Sequence, residues 1–387
     1  MKIAIVHPYP SRAGLEAKAS GTIYRDRVFA TLLEQLDHQV KGFRTTRGMA
    51  EVIVSMDDYA DWTNYPIDRE DVDAPGARVG SSRMVEEVLG YAPDVLIVKG
   101  SGTSIGQYLF ELHNGPFVTI VGGGYRDRTL MMSELVLTEN EEQERFLSMR
   151  IGLGRTIRMP KLVSPIFAKK HESMPKEFDV VVISKFSRHK NHAALLPLLE
   201  HNVSILFIGD GEVREEFERR AQDCRARVTF SGFVESEEVA RLLHRSRVLV
   251  HPSLSEGFPR AVVEAMAAGV PSVCLAGVVG PPLVDGENGL LVRENELVPG
   301  TLALLEDESH LETLGVNALA TNRKEFSVEA LQRTTERVNQ KLNEAVKRYT
   351  SHGSKRRKMM TVWLTVLNAP RASLRFSKAL TRSIVDR

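Results

Sequence analysis

The run Pro252-Ser253-Leu254-Ser255-Glu256-Gly257-Phe258-Pro259-Arg260-Ala261-Val262-Val263-Glu264-Ala265-Met266-Ala267-Ala268-Gly269-Val270-Pro271 decides how this chain is read. An apolar run of strand length, residues 248–251, leads into it, so Ser255 or Glu256 closes a loop at a strand's carboxyl end. Pro259 suits the first turn of a helix, where its missing N–H is no loss, and Gly269 suits the carboxyl cap. The spacing predicts a short helix whose start faces the end of a buried strand. Glu256 then stands just ahead of the helix and Glu264 inside it. Free backbone N–H groups near Gly257 and Phe258, with the positive end of the helix dipole, favour an anion, and phosphate is a natural ligand. Carboxylates accept hydrogen bonds from sugar and ribose hydroxyls, and two with seven residues between them can serve two hydroxyl-rich ends of one ligand. Either acid alone is equally well a helix cap or a solvated group.

Taken whole, the segment resembles the Glu-x7-Glu signature of the retaining glycosyltransferases of family four, which have the GT-B fold. The resemblance extends over residues 181–349 and implies that Glu256 contacts the donor sugar while Glu264 binds the nucleotide ribose. Glu256 is the candidate catalytic group: a positioned carboxylate stabilises the positive charge that grows on the sugar ring as its bond to phosphate breaks. Ser184-Lys185-Phe186-Ser187-Arg188-His189-Lys190-Asn191 follows a strand and sets Lys185 and Lys190 at a spacing suited to a diphosphate. The family usually has Arg at the first of these positions; Lys185 keeps the charge and loses the bidentate fork. A basic loop by itself is more often just solvated.

Phe207-Ile208-Gly209-Asp210-Gly211-Glu212 ends a strand in a Gly-rich turn, making Gly209 and Gly211 donor-loop candidates, although a tight turn needs glycine equally. Asp285-Gly286-Glu287-Asn288-Gly289 reads as a turn before a strand and carries no assigned chemistry.

The first half is more weakly similar. Gly21 precedes a helix that ends near Asp37-His38-Gln39-Val40, with Ser20 and Asp37 where the family has glycines; Gly21 would let the loop approach the donor phosphates. After the strand pattern of residues 117–121 the family often has a His, and here stand Gly122, Gly123, Gly124, Tyr125, Arg126 and Asp127. Gly122 and Gly123 can nest an anion, and Arg126 or Asp127 can contact the sugar; a plain flexible loop fits as well. His7 and His113 are read as structural.

Working outward, apolar runs at residues 2–6, 95–98, 117–121, 180–184, 204–208, 248–251 and 271–275 alternate with helical patterns. That alternation predicts α/β architecture with doubly wound parallel sheets and ligands at the carboxyl ends of the strands. With 387 residues, two domains are expected. Polar residues 168–176 lack periodicity and mark the linker. The reading is a GT-B chain of two Rossmann-like domains facing across a cleft: an acceptor domain over 1–168, a nucleotide-sugar domain over 177–325, a helix over 326–350 that crosses back to the first domain, and a basic tail over 351–387. Residues 56–80 hold seven acids against Arg69 and Arg78, with Tyr59, Trp62 and Tyr65, and read as a solvated surface loop or an acceptor-contacting flap with aromatic platforms.

Apolar residues make up 42% and charged residues 26%, the mixture of a globular protein. The formal charge of +1 divides into +8 over residues 351–387 and −7 over the rest. The acidic body argues against a nucleic-acid partner, and the tail over residues 355–382, with cations beside Met359, Val362, Trp363 and Leu364, suits an anionic membrane face. Cys224 and Cys274 lack metal-ligand spacing and read as reduced cysteines of a cytoplasmic protein. The first residues run into a strand pattern without the regions of a signal peptide. No residue pattern calls for a metal or cofactor; the nucleotide-sugar is a co-substrate. The activity the resemblance implies is retaining transfer of a sugar from a nucleotide-diphosphate-sugar to an acceptor; the basic tail adds a lipid-linked or surface glycan as one acceptor class, at the inner membrane face. An epimerase or phosphorylase of the same fold and a non-catalytic nucleotide-sugar-binding partner are the alternatives. Gly100, Gly102 and Gly106 miss the dinucleotide spacing by one residue, which disfavours a dehydrogenase.

Overall fold

The computed structural model describes residues 1–352 except 12–20, 49–51, 57–58, 72–78, 101, 122–127, 153, 160, 170–174 and 257–258. The chain forms two compact units, Met1–Lys161 with Leu331–Arg387, and Leu162–Ala330. The division falls upstream of the polar linker stretch.

In the first unit the strands are β1 (Lys2–Ser11), β2 (Gln39–Thr46), β3 (Val52–Met56), β4 (Tyr59–Pro66), β5 (Arg69–Glu70), β6 (Val79–Gly80), β7 (Val95–Lys99), β8 (Phe117–Ile120), β9 (Leu135–Thr138) and β10 (Thr156–Arg158). The main sheet runs β10-β9-β8-β7-β1-β2-β4-β3, parallel except where β3 meets β4. The helices between them are α1 (Gly21–Glu34), α2 (Ser82–Gly90), α3 (Ser104–Leu112), α4 (Arg128–Met132) and α5 (Glu141–Ile151). Strands such as Val95–Lys99 are buried along their whole length, as a sheet covered on both faces requires.

Within residues 56–80, the strand Tyr59–Pro66 corrects both sequence readings for its own residues. β4 lies inside the sheet, and Trp62 and Tyr65 are each 1% exposed, so they are core residues and neither a solvated loop nor stacking platforms. The pattern was missed because Trp62 pairs with Gly42: a Cβ there would lie 2.5 Å from the indole, so one large residue fills the space of two. Asp37, where the resembling family has glycine, adopts φ 62°, a left-handed conformation that Asp tolerates.

The second unit has β11 (Phe178–Ile183), β12 (Ser204–Ile208), β13 (Arg227–Gly232), β14 (Ser246–His251), β15 (Ser272–Leu275) and β16 (Leu290–Val292), with α6 (Arg214–Arg220), α7 (Ser236–His244), α8 (Arg260–Ala267), α9 (Leu297–Glu306) and α10 (Glu308–Glu325). Its sheet order is β13-β12-β11-β14-β15-β16, all parallel, the arrangement of a dinucleotide-binding fold. Val180, Val182, Phe207 and Val250 pack into one core, while Val181, Leu206 and Leu249 pack into another, as the two-residue strand period dictates.

The last described helix, α11 (Val328–His352), leads from the second unit into the first. Leu331, Val338, Leu342 and Ala345 form its buried stripe. Asn339 Oδ1 lies 2.8 Å from His38 Nε2, and Arg348 pairs with Glu134. Among the described residues no helix is long and apolar enough to cross a membrane.

Candidate active site

In the second sheet the chain order reverses between β11 and β14, and the crevice outside the carboxyl ends of such a strand pair is where doubly wound sheets bind ligands. After β11 the chain continues through Ser184 to Lys190, and after β14 through His251 to Glu256. Backbone joins the two loops: Leu254 N donates to His189 O at 2.9 Å.

This brings Lys190 Nζ to 2.5 Å from Glu256 Oε1 and His251 Nε2 to 2.7 Å from the same oxygen. Burial pushes the Glu256 carboxyl up, but hydrogen bonds from His251, Lys190 and Ser253 outweigh it and hold the pKa at about 2. The site therefore contains a fixed carboxylate at neutral pH, with a cation against it. His251 is buried, and its Nδ1 has no hydrogen-bond partner among the described residues. Next to it His192 stacks on Phe186 with ring centroids 4.1 Å apart and meets Ser184 Oγ at 3.0 Å. Burial first, then the charges of His251 and Lys190, lowers its pKa to about 4.

Glu264 is placed differently. It lies on α8, bound to Arg260 Nη2 at 3.0 Å, and burial raises its pKa against the lowering effect of that arginine. The two acids of the Glu-x7-Glu spacing thus differ in character: one is held ionised, the other is pushed toward neutrality. Pro259 precedes α8, and Gly269, at φ 69°, follows its carboxyl end. Gly257 and Phe258 lie outside the described residues.

Lys185 is exposed and makes no ion pair among the described residues. The glycines beside it have a packing explanation. A Cβ on Gly209 would lie 2.1 Å from Ser184 O, and one on Gly211 2.3 Å from Phe186 O, because Phe186 N donates to Asp210 O at 2.9 Å and draws the loops together. Lys190 and Glu256 are therefore brought into contact, with Lys185, Gly209 and Gly211 in the adjoining loops, whereas Glu264 bonds to its own helix. Gly21 opens α1 in the first unit, and Gly122, Gly123, Arg126 and Asp127 lie outside the described residues.

Sequence reasoning missed His251. The available signal was its position, a titratable residue ending a buried strand at the sheet's switch point.

Residues 163–321, within the second unit, match the family model of glycosyl transferases group 1. The whole chain is similar in structure to sucrose-phosphate synthase from Thermosynechococcus elongatus, with a TM-score of 0.67 at 18% identity, covering 89% of this chain and 99% of that one. It is also similar to Anabaena HepE in complex with UDP, with a TM-score of 0.62 at 17% identity over 88% and 100% of the two chains.

The fold is GT-B.

In sequence, this GT-B chain is 35% identical to O-antigen chain mannosyltransferase B of Escherichia coli over 115 residues, 29% of each chain. The matches span about a third of the length of the curated relatives.

Proposed function

We propose that the protein is a retaining glycosyltransferase of family four, moving a sugar from a nucleoside-diphosphate sugar to an acceptor. The observation that carries this is the Lys190–Glu256–His251 cluster, three hydrogen-bonded polar side chains at the switch point of the unit that matches the glycosyltransferase model. UDP in complex with HepE, a protein of the same fold, supports a nucleotide donor.

In this reading Lys185 and Lys190 offset the diphosphate, together with the amino-terminal end of α8 and the expected contribution of Gly257 and Phe258 ahead of it. Lys190 bridges from Glu256 to the donor, so the carboxylate is turned toward the sugar whose bond breaks. Glu256 then stabilises developing positive charge on the ring, which helps the transition state more than the ground state. Glu264, pushed toward neutrality by burial and already bound to Arg260, gains a further hydrogen-bond partner when it holds the ribose. As the bond from the sugar to phosphate breaks, the leaving phosphate takes the proton of the acceptor hydroxyl, and the acceptor oxygen bonds to the same face of the sugar, so the transferred sugar keeps the configuration it had in the donor. The basic segment 355–382, outside the described residues, docks on anionic membrane at the cytoplasmic face and directs the enzyme to a lipid-linked or surface glycan acceptor. Flotation with anionic liposomes is lost in a protein ending at His352 if this holds, and retained if the body binds instead.

The test is a panel of nucleotide-sugars, screened by thermal shift and then by transfer, followed by kinetics of two variants. Glu256→Gln is expected to lower turnover by about 10²-fold with donor affinity nearly kept, whereas Glu264→Gln weakens donor binding by about 1–3 kcal/mol. Wild-type turnover in Glu256→Gln at saturating donor refutes the assignment. Binding without turnover on any acceptor identifies a non-catalytic partner instead, and donor conversion without acceptor identifies an epimerase.

A further inference from the structure

The first unit has its own switch point, between β1 and β7, and it holds a buried polar row that the proposed donor site does not use. Strand register pairs His7 with Arg44, and Arg44 with Asn64. Lys99 follows Val98, the partner of Val6, so Asn64, Arg44, His7 and Lys99 stand side by side across four strands. Helix α1 faces this row with Asp26, whose carboxylate takes Lys99 Nζ at 2.8 Å and Arg25 Nη2 at 2.8 Å. Arg25 also reaches Glu139 at 3.3 Å, and Lys161 completes the chain of ion pairs on Glu139 at 3.3 Å. Burial pushes the Asp26 carboxyl up, but Arg25 and Lys99 overcome it and hold it far below the usual range.

Beside this ion-paired network stand groups with no hydrogen-bond partner among the described residues: both ring nitrogens of His7, both amide atoms of Asn64, and Trp62 Nε1. His7 is 5% exposed, and Asn64 and Trp62 are each 1% exposed. His7 Nε2 lies 3.7 Å from Asp26 Oδ2, beyond hydrogen-bond range, and its ring centroid lies 6.2 Å from that of Trp62. Each buried group left unsatisfied costs about 1–3 kcal/mol, so several gathered in one place call for an occupant that satisfies them. The unspent donors are the indole N–H, the Asn64 amide and one imidazole nitrogen; the unspent acceptors are Asn64 Oδ1 and the other imidazole nitrogen. At His7 the charges of Lys99, Arg44 and Arg25 act against the single charge of Asp26, which favours an anion there.

We propose that this row binds an acidic, hydroxylated molecule: a sugar or polyol carrying a phosphate or carboxylate. The oxyanion accepts from the unspent donors beside Lys99 and Arg44, and hydroxyls of the same molecule donate to Asn64 Oδ1 and the imidazole. On the glycosyl-transfer reading, on which this assignment of role rests, the occupant is the acceptor. Burial, then Lys99, holds the His7 pKa well below its usual value, so the ring is neutral before an anion arrives. A bound anion opposes those cations and raises the pKa.

The experiment uses the full chain labelled with 15N-histidine, with the His7 signal assigned by its loss in His7→Gln. Inorganic phosphate and D-glucuronate are each expected to move that signal to saturation and raise its titration midpoint, and D-glucose at the same concentrations is not. A His7 signal unmoved by both anions, or moved as far by glucose, overturns the site. With saturating UDP present the glucuronate response persists if the anion belongs to an acceptor; loss of the response assigns the row to donor phosphate and overturns that role. Asn64→Leu is expected to weaken glucuronate binding about tenfold, the scale of one hydrogen bond to a charged group, and unchanged binding counts against the row. None of these readouts uses transfer, so a transferase whose His7 ignores both anions refutes this site alone, while a responsive His7 in a protein that transfers no sugar refutes only the activity.

Discussion

Breaking the Lys190–Glu256 contact tests the electrostatic organisation of the donor unit before any substrate is known. The Glu256 carboxyl titrates at about 2 against an ordinary 4.5, a difference worth about 3 kcal/mol at full weight. Partial solvent access to the pair and sharing with His251 reduce the part owed to Lys190 to about 1.5 kcal/mol, in the range of a hydrogen bond to a charged group. We expect a double-mutant cycle of Lys190→Met and Glu256→Gln, followed by urea unfolding at pH 7, to return a coupling energy of about 1–2 kcal/mol. The sign with pH follows from a depressed carboxyl: its stabilisation is complete above about 4.5 and is lost as pH falls toward about 2. At pH 4 the advantage of wild type over Glu256→Gln should already have shrunk by about 0.8 kcal/mol. A coupling energy below about 0.5 kcal/mol would mean that Lys190 contributes no more than an exposed surface pair, and the reasoning would be wrong.

Three further outcomes are expected. Gly209→Ala should cost about 3 kcal/mol or more in urea unfolding, since its Cβ would sit 2.1 Å from Ser184 O at φ 132°, whereas Gly286→Ala, at φ 69° in open space, should cost only about 1 kcal/mol; equal losses would show that loop packing is not what requires glycine. His192, kept neutral by burial with a pKa of about 4, is protonated more readily in the unfolded chain, so stability is full above about 6.5 and falls as pH drops toward 4. From pH 7 to pH 5 that amounts to about 2 kcal/mol, and His192→Gln should remove this part of the acid sensitivity; an unchanged pH profile in the variant would refute it. Trp62→Ala should cost about 3–5 kcal/mol as a core truncation, and a loss below 1 kcal/mol would restore the surface-loop reading.

The class of fold and seven of its sixteen described strands were legible along the chain because buried parallel strands are short continuous apolar runs, and such runs need no partner to be seen. All seven predicted strands are present, six with ends shifted by at most two residues and the first extended by five, to Ser11. The helix Arg260–Ala267 was equally local: Pro259 and Gly269 mark its ends through their own backbone geometry. β2 and β4 were missed for the opposite reason. Their burial depends on a cross-strand exchange of volume, Trp62 over Gly42, that no window along one strand contains.

The sequence by itself determined the architecture, the switch-point helix and the two acids, since each rests on residue type and spacing within one segment. Only the tertiary structure decided what those acids are. Glu256 is held ionised by Lys190, 66 residues away, and by His251, while Glu264 is pushed toward its neutral form by its surroundings. Likewise, His7 read as an isolated histidine until strand register set it beside Arg44 and Lys99 over Asp26. Ionisation and hydrogen-bond satisfaction depend on what lies within a few ångströms in space, and the chain order does not carry that distance.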